Sequence, residues 1–335
     1  MYSWILNYNL MTSAKTSFAG LSLRCPIIVG SSSKTASVAN IVEFDKAGAG
    51  AVVLKSLFEE SIIREASQAG DLTEHPEAYD YVFNSIDSKL TEDYCETIRE
   101  AKSQCSIPII ASIACHTDGK WIEYSKMIEE AGADALELNV MSLCTSKEYK
   151  DGDFERLHES IVKQVCRATG IPVIVKLGSN LSNPVNLAYR LYALGAKGVV
   201  LFNRFYPTDI DVEKLQFTLS NPFTNEADLS MPIRWAGIIS AAVPRLPVAV
   251  SGGIHDWKGI AKAILSGASA VEVASAIIKN GAQWIGNAAA ELEKWQSCKG
   301  FKDIASYLGK LNASDPEHAD RLLRTQFMKY FANIH

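Results

Sequence analysis

Across 335 residues the chain has no Cys-x-x-Cys pair, no apolar run long enough to span a membrane and no block of basic charge. Each absence removes a class of function. Seven cysteines without that pairing argue against a disulfide framework, a zinc ribbon and a self-contained iron-sulfur site. No metal centre is expected, and a reducing cytoplasm is. A formal charge of -5 leaves no whole-chain footprint for nucleic acid or an anionic membrane, which points to a small-molecule substrate. Residues 1–10 carry Trp4, Ile5 and Leu6 but neither a basic leader nor a long apolar core, so a secretory signal is not expected. Met11 is an alternative start. With hydrophobic residues at 47% and charged residues at 21%, the chain can bury a large core. One domain over 1–335 is the simplest organisation, with 1–16 as an N-terminal extension and 282–335 as C-terminal helices.

What is present is a repeat. Short apolar runs begin alternately after a proline and after a Gly-Ala turn. The proline set is Pro26-Ile-Ile-Val-Gly, Pro108-Ile-Ile-Ala-Ser-Ile, Pro172-Val-Ile-Val-Lys-Leu and Pro247-Val-Ala-Val-Ser-Gly. The Gly-Ala set is AGAGAVVL from Ala47, AGADALEL from Ala131, LGAKGVVL from Leu194 and SGASAVEV from Ser266. Amphipathic stretches lie between them, such as Ser37 to Ala47, Trp121 to Ala131, Phe154 to Thr169 and Pro184 to Leu194. Eight strands alternating with helices predict an α/β fold, a (βα)8 TIM barrel. Ser17 to Arg24 predicts a hairpin closing the bottom of the barrel, and helices after Gly281 complete it. Two connections, Ser56 to Lys89 and Arg204 to Pro232, are long and follow strand C-termini, where barrel enzymes build lids and substrate walls.

The seventh and eighth units carry a phosphate signature. Val248-Ala-Val-Ser251 breaks into Gly252-Gly253 before a helix that Asp256 can cap and Gly267 can end. Ala270-Val-Glu-Val273 opens into Ala274-Ser275. Glycine pairs and small residues at such turns leave backbone N–H groups available to a phosphate, and in eight-stranded barrels that site follows these two strands.

Alternate residues of a strand share a face, which predicts which side chains enter the barrel. Counting by twos assigns inward Val53 and Lys55, Ile110 and Ser112, and Ala135, Glu137 and Asn139. The same count gives Ile174 and Lys176, Val199, Leu201 and Asn203, and Ala249 and Ser251. The polar members fall at one end. Glu137 is expected beside Lys55 or Lys176, because a buried carboxylate is tolerable only when paired. A phosphate nest facing lysines and amides suits a planar phosphorylated cofactor such as a flavin. A lysine roughly 4 Å from a negative flavin edge contributes up to about 4 kcal/mol at an effective dielectric near 20. A phosphosugar would fill the nest equally, so a lyase or synthase with a Schiff-base lysine stays open.

These segments together resemble the dihydroorotate dehydrogenase family, from about Phe18 to Gly309. Gly30-Ser31-Ser32 is similar to the Ala-Ser-Gly that lies along the flavin, and Leu54-Lys55-Ser56 to a Thr-Lys-Ser whose lysine reaches flavin and substrate. Leu136-Glu-Leu-Asn139 and Val175-Lys176-Leu177 match family motifs, and Asn203 falls where an asparagine binds substrate. Ser251-Gly252-Gly253-Ile254 and Val273-Ala274-Ser275-Ala276 resemble the two phosphate turns. The resemblance implies flavin mononucleotide (FMN), a homodimer, a role in pyrimidine biosynthesis, and oxidation of dihydroorotate or a related dihydropyrimidine.

The departures are local. Where the family runs Ser-Cys-Pro-Asn or Ser-Ser-Pro-Asn after its asparagine, this chain has Asn139-Val-Met-Ser142-Leu143-Cys144. Gapless matching puts Ser142 on the base that removes the proton, and Cys144 is the rival if the loop is shifted. Asn84-Ser85 is similar to a substrate-binding Asn-Ser-Met-Gly, with Asp87 in place of glycine. Arg204-Phe-Tyr-Pro and Arg234-Trp235 replace a glycine-rich turn, and Arg204 is a candidate cation for the substrate's carboxylate. The altered loop also leaves open a flavin binder that has lost catalysis.

Overall fold

The computed structural model describes residues 13–59, 76–114, 118–205 and 207–325. Eight parallel strands close into a barrel: β1 (Ile27–Val29), β2 (Ala51–Val53), β3 (Ile109–Ala114), β4 (Ala135–Val140), β5 (Val173–Gly178), β6 (Gly198–Asn203), β7 (Val248–Ser251) and β8 (Ala268–Val273). Neighbours in the chain are neighbours in the sheet, and closure comes where Val271 of β8 lies opposite Ile27 of β1. The eight runs expected from the sequence are these strands. Helices cover them: α1 (Val38–Lys46), α2 (Pro76–Gln104), α3 (Asp118–Glu130), α4 (Asp153–Ala168), α5 (Pro184–Leu194), α6 (Ser230–Ala242), α7 (Trp257–Ser266) and α8 (Ser275–Asn280). Two more, α9 (Gln283–Cys298) and α10 (Pro316–Leu323), follow the barrel.

Local chemistry sets the helix limits. Asn183 caps α5 through the Asn186 N–H at 3.0 Å, Pro184 supplies its first turn, and Gly195 ends it at φ +115°. Asp256 caps α7 through Gly259 N–H at 2.9 Å, and Gly267 ends it at φ +115°. The second pair is the cap and stop expected at Asp256 and Gly267, and the first uses the same chemistry with a proline in the opening turn.

The barrel interior is layered. Ile28, Ala51, Val53, Ile110, Ala135, Ile174, Val200, Ala249 and Ala270 form one apolar layer. A hairpin of Thr16–Phe18 and Leu21–Leu23 plugs it from below, with Phe18, Leu21 and Leu23 in the same cluster. A Cβ at Gly198 would sit 3.0 Å from the Phe18 ring, so the plug is seated against the base of β6. Fully burying a side chain such as Phe18 contributes about 1.5–3 kcal/mol.

Two expectations need correction. Val200, not Val199 or Leu201, fills the interior layer in β6. An irregularity there pairs Leu177 with Leu201 and Gly178 with Asn203, skipping Phe202, so Asn203 still reaches the mouth. One extra residue reverses the parity on either side of it. The long connections are also not plain loops. Leu57–Phe58 extends along β3, and α2 already begins at Pro76. The segment after β6 contains a hairpin, Thr208–Asp211 paired with Gln216–Leu219.

Candidate active site

Above the apolar layer the interior turns polar, and two contiguous lobes open at the strand C-termini. The smaller, about 180 Å³, is lined by Gly30, Ser31, Thr224, Ser251, Gly252, Gly253, Glu272, Ala274 and Ser275, among others. Gly252 and Gly253 adopt φ +93° and +75°, turning the chain after β7 around the lobe. A Cβ on Gly253 would run into the backbone of Leu229, so glycine is needed there for space as well as for conformation. The Ser275 hydroxyl accepts from Thr224 N–H at 3.1 Å, and Thr224 Oγ1 lies 3.2 Å from His255 Nε2. Residues 221–225 are thereby pinned across the lobe.

The larger lobe, about 650 Å³, is lined by Ser31, Ser56, Phe58, Glu137, Asn139, Met141, Ser142, Leu143, Lys176, Asn203 and Arg204, among others. Ser31, Lys176, Asn203 and Arg204 face both lobes. Asn203 Nδ2 donates to Asn139 Oδ1 at 2.5 Å, and Asn203 Oδ1 accepts from Arg204 N–H at 2.8 Å. The two amides thus orient each other. Ser31, Ser56 and Ser112 form a hydroxyl chain, 3.3 Å from Ser31 to Ser56 and 2.8 Å from Ser56 to Ser112. Ser112 is buried beneath the lobe rather than lining it.

At the floor, Lys176 Nζ lies 2.5 Å from Glu272 Oε2 and 3.6 Å from Glu137 Oε1. Burial opposes the ammonium, but the two carboxylates outweigh it and hold Lys176 above its usual pKa. Burial pushes the Glu137 carboxyl well up, and Glu272 adds to that rise while Lys176 only partly offsets it. Of the two lysines expected beside Glu137, the structure selects Lys176.

Other expected positions are placed differently. The Lys55 side chain is exposed and lines neither lobe. Ser142 lines the larger lobe, its carbonyl held by Asn180 Nδ2 at 3.1 Å, while Cys144 is exposed outside it. Arg204 spends its guanidinium on the carbonyls of Pro222, at 2.9 Å, and Asn221, at 3.2 Å. Asn84 lies on α2 with its side chain outside the described residues. Asp87, compared above with a loop glycine, is instead buried against α3, accepting from Tyr124 Oη at 2.5 Å and pairing with Lys120. Arg234 sits on α6 and donates to Arg324 O at 3.1 Å, far in sequence and function from a cofactor turn. Glu272 was not among the expected residues, although its parity with Ala270 marks it as inward; Thr224 and His255 carried no local signal.

A family model described as dihydroorotate dehydrogenase matches residues 13–295. The chain belongs to the dihydroorotate dehydrogenase family. It is 29% identical over 278 residues to the dihydroorotate dehydrogenase B (NAD(+)) catalytic subunit of Thermoplasma volcanium, covering 81% of this chain and 89% of the relative. The corresponding subunit of Desulforudis audaxviator is 28% identical over 301 residues, 87% and 95% of the two chains. Dihydroorotate dehydrogenase A (fumarate) of Lactobacillus delbrueckii subsp. bulgaricus is 26% identical over 314 residues, 90% and 99%. The chain is therefore a dihydroorotate dehydrogenase-like oxidoreductase of the class acting on CH-CH groups. The family is generally flavin-dependent. The site fits such a group: a glycine-turned lobe of about 180 Å³, with room for a phosphate, opens into a larger lobe with amides, hydroxyls and an ammonium. Among the described residues no helix is long and apolar enough to cross a membrane.

Proposed function

We propose that the protein is an FMN-dependent oxidoreductase that oxidises dihydroorotate or a related dihydropyrimidine, in pyrimidine biosynthesis. The observation that carries this is the continuity of the two lobes, joined at Ser31, Lys176, Asn203 and Arg204. Gly252, Gly253, Ala274 and Ser275 would hold the phosphate, with Gly30, Ser31, Ser56, Ser112 and Lys176 around the rest of the cofactor. FMN, when bound, supplies a hydride acceptor. Asn139 and Asn203, already oriented against each other, present amide groups to the edges of a cyclic imide. Ser142 is the candidate base, because it faces the larger lobe and Cys144 does not. A serine hydroxyl removes a proton efficiently only when its own proton is passed on, so Ser142 acts with a further acceptor in the assembled site. Arg204, which lines the larger lobe, is the candidate cation for the substrate's carboxylate, and Lys55 reaches it only by turning inward from its exposed position.

Lys176 weighs against the Schiff-base alternative. A lysine nucleophile must lose its proton near neutral pH, whereas the Glu272 carboxylate at 2.5 Å holds this one as an ammonium.

A homodimer completes the proposal. On the hairpin after β6, Ile210 pairs with Phe217, and Leu219 shares their face, while Asp209, Asp211 and Gln216 take the other. Ile210 is 58% exposed and Phe217 79%, an apolar face that a second copy would cover. The protein would work in a reducing cytoplasm. Purified protein should hold FMN in a one-to-one ratio, read from its visible spectrum; no binding of added FMN would reject the cofactor assignment.

A further inference from the structure

The floor of the site holds more carboxylate than ammonium. Lys176, Glu137 and Glu272 are 7%, 1% and 2% exposed; Glu137 and Lys176 come from the adjacent strands β4 and β5, and Glu272 reaches them from β8 across the barrel. One cation cannot neutralise two ionised glutamates, and an unpaired charge at that depth is costly. The contacts are unequal. Glu272 takes the short bond to Lys176, at 2.5 Å, whereas Glu137 stands off at 3.6 Å and its Oε2 is buried without a hydrogen-bond partner. Among the described residues, the charged groups that act on Glu137 are Glu272 and Lys176, with no second cation. Ser112 is the cross-strand neighbour of Glu137, and the Tyr94 hydroxyl accepts from Ser112 N–H at 2.8 Å. Burial holds that phenol in its neutral form.

We propose that Glu137 and Glu272 share a single proton, so that together they carry one negative charge against Lys176 and present a neutral floor to the bound flavin. Glu272 is the carboxylate, and Glu137 is the carboxylic acid. The role rests on the flavin reading: a floor with a net negative charge would oppose entry of electrons into the cofactor above it. Glu137 and Glu272 tune the cofactor and take no part in bond making. Glu137's proton persists to neutral pH because burial and Glu272 both oppose its loss.

A charge count over four proteins separates this from two ionised glutamates. Wild type, Glu137→Gln and Glu272→Gln each leave a neutral floor, because in Glu272→Gln the proton leaves Glu137 and the Lys176 pair remains. Only the double variant leaves Lys176 uncompensated. The midpoint potential of bound FMN should therefore stay near wild type in both single variants at pH 7 and rise in the double variant. A tenfold shift of the two-electron equilibrium is about 30 mV. If each single variant already raises the potential, two full charges are present and the proposal is overturned. The infrared carbonyl band of a carboxylic acid gives a readout in flavin-free protein. It should be present in wild type at pH 7, disappear as pH is raised, and be missing from either single variant. Its absence from wild type would overturn the proposal whatever the potentials do. Failure of all four proteins to bind FMN would reject the cofactor reading instead, and the wild-type band would still decide the shared proton.

Discussion

Ser142 and Cys144 stand two residues apart, yet only the serine faces the larger lobe. If Ser142 is the base, Ser142→Ala should lower kcat by about 10²–10⁴-fold, the usual contribution of a positioned proton acceptor. Its FMN content should not change, and Cys144→Ala should stay near wild type. The opposite pattern in steady-state kinetics would reassign the base. Some of this site was legible one residue at a time. Strand parity placed Ser112, Glu137, Lys176 and Ser251 on the inner face, because each follows an apolar inward residue at a spacing of two, and Asn139 two residues beyond Glu137. It could not show that Lys55 turns outward, since a long flexible side chain at a strand end has rotamers that parity does not constrain.

Elements carry the next predictions. The turn after β7 depends on Gly253, at φ +75° and against the Leu229 backbone. Gly253→Ala should lower the melting temperature and weaken FMN binding, measured by thermal unfolding and by release of the cofactor; unchanged values would mean that the turn is not the phosphate nest. The hairpin after β6 is the second case. Phe217→Asp should convert dimer to monomer in sedimentation, and a protein that is monomeric before mutation would remove the dimer proposal. The third is α4, where His158 is fully buried and its Nδ1 bonds Phe154 O at 2.8 Å. Burial lowers its pKa below the usual value near 6.5. The unfolded chain then takes up the proton first, so His158 contributes stability above about pH 6.5 that is lost as pH falls through the folded value. Melting temperatures of His158→Gln should fall less between pH 7 and pH 5.5 than those of wild type; equal slopes would mean that His158 does not set the acid sensitivity. Two of these elements were apparent in the sequence, the Gly252-Gly253 turn and the amphipathic stretch from Phe154 to Thr169 that forms α4; the hairpin and the burial of His158 were not. The hairpin was hidden because its apolar residues alternate with Asp209 and Asp211, within a segment that also holds polar turns.

At the scale of the molecule the fold was the most legible part. Its eight strands are short and buried on both faces, so each is a continuous apolar run with a proline or Gly-Ala signal at its start. The site was less legible because it depends on what meets across the barrel. Glu272 comes to Lys176 from a strand 96 residues away, and Thr224 reaches Ser275 from 51 residues away. The central claim is that these long-range meetings assemble an FMN site for a dihydropyrimidine. The most direct measurement is an anaerobic visible spectrum of the FMN-loaded protein as dihydroorotate is added. Stoichiometric bleaching of the flavin band, slowed in Ser142→Ala, is the predicted result. A flavin band that persists with dihydroorotate and with related dihydropyrimidines would contradict the claim.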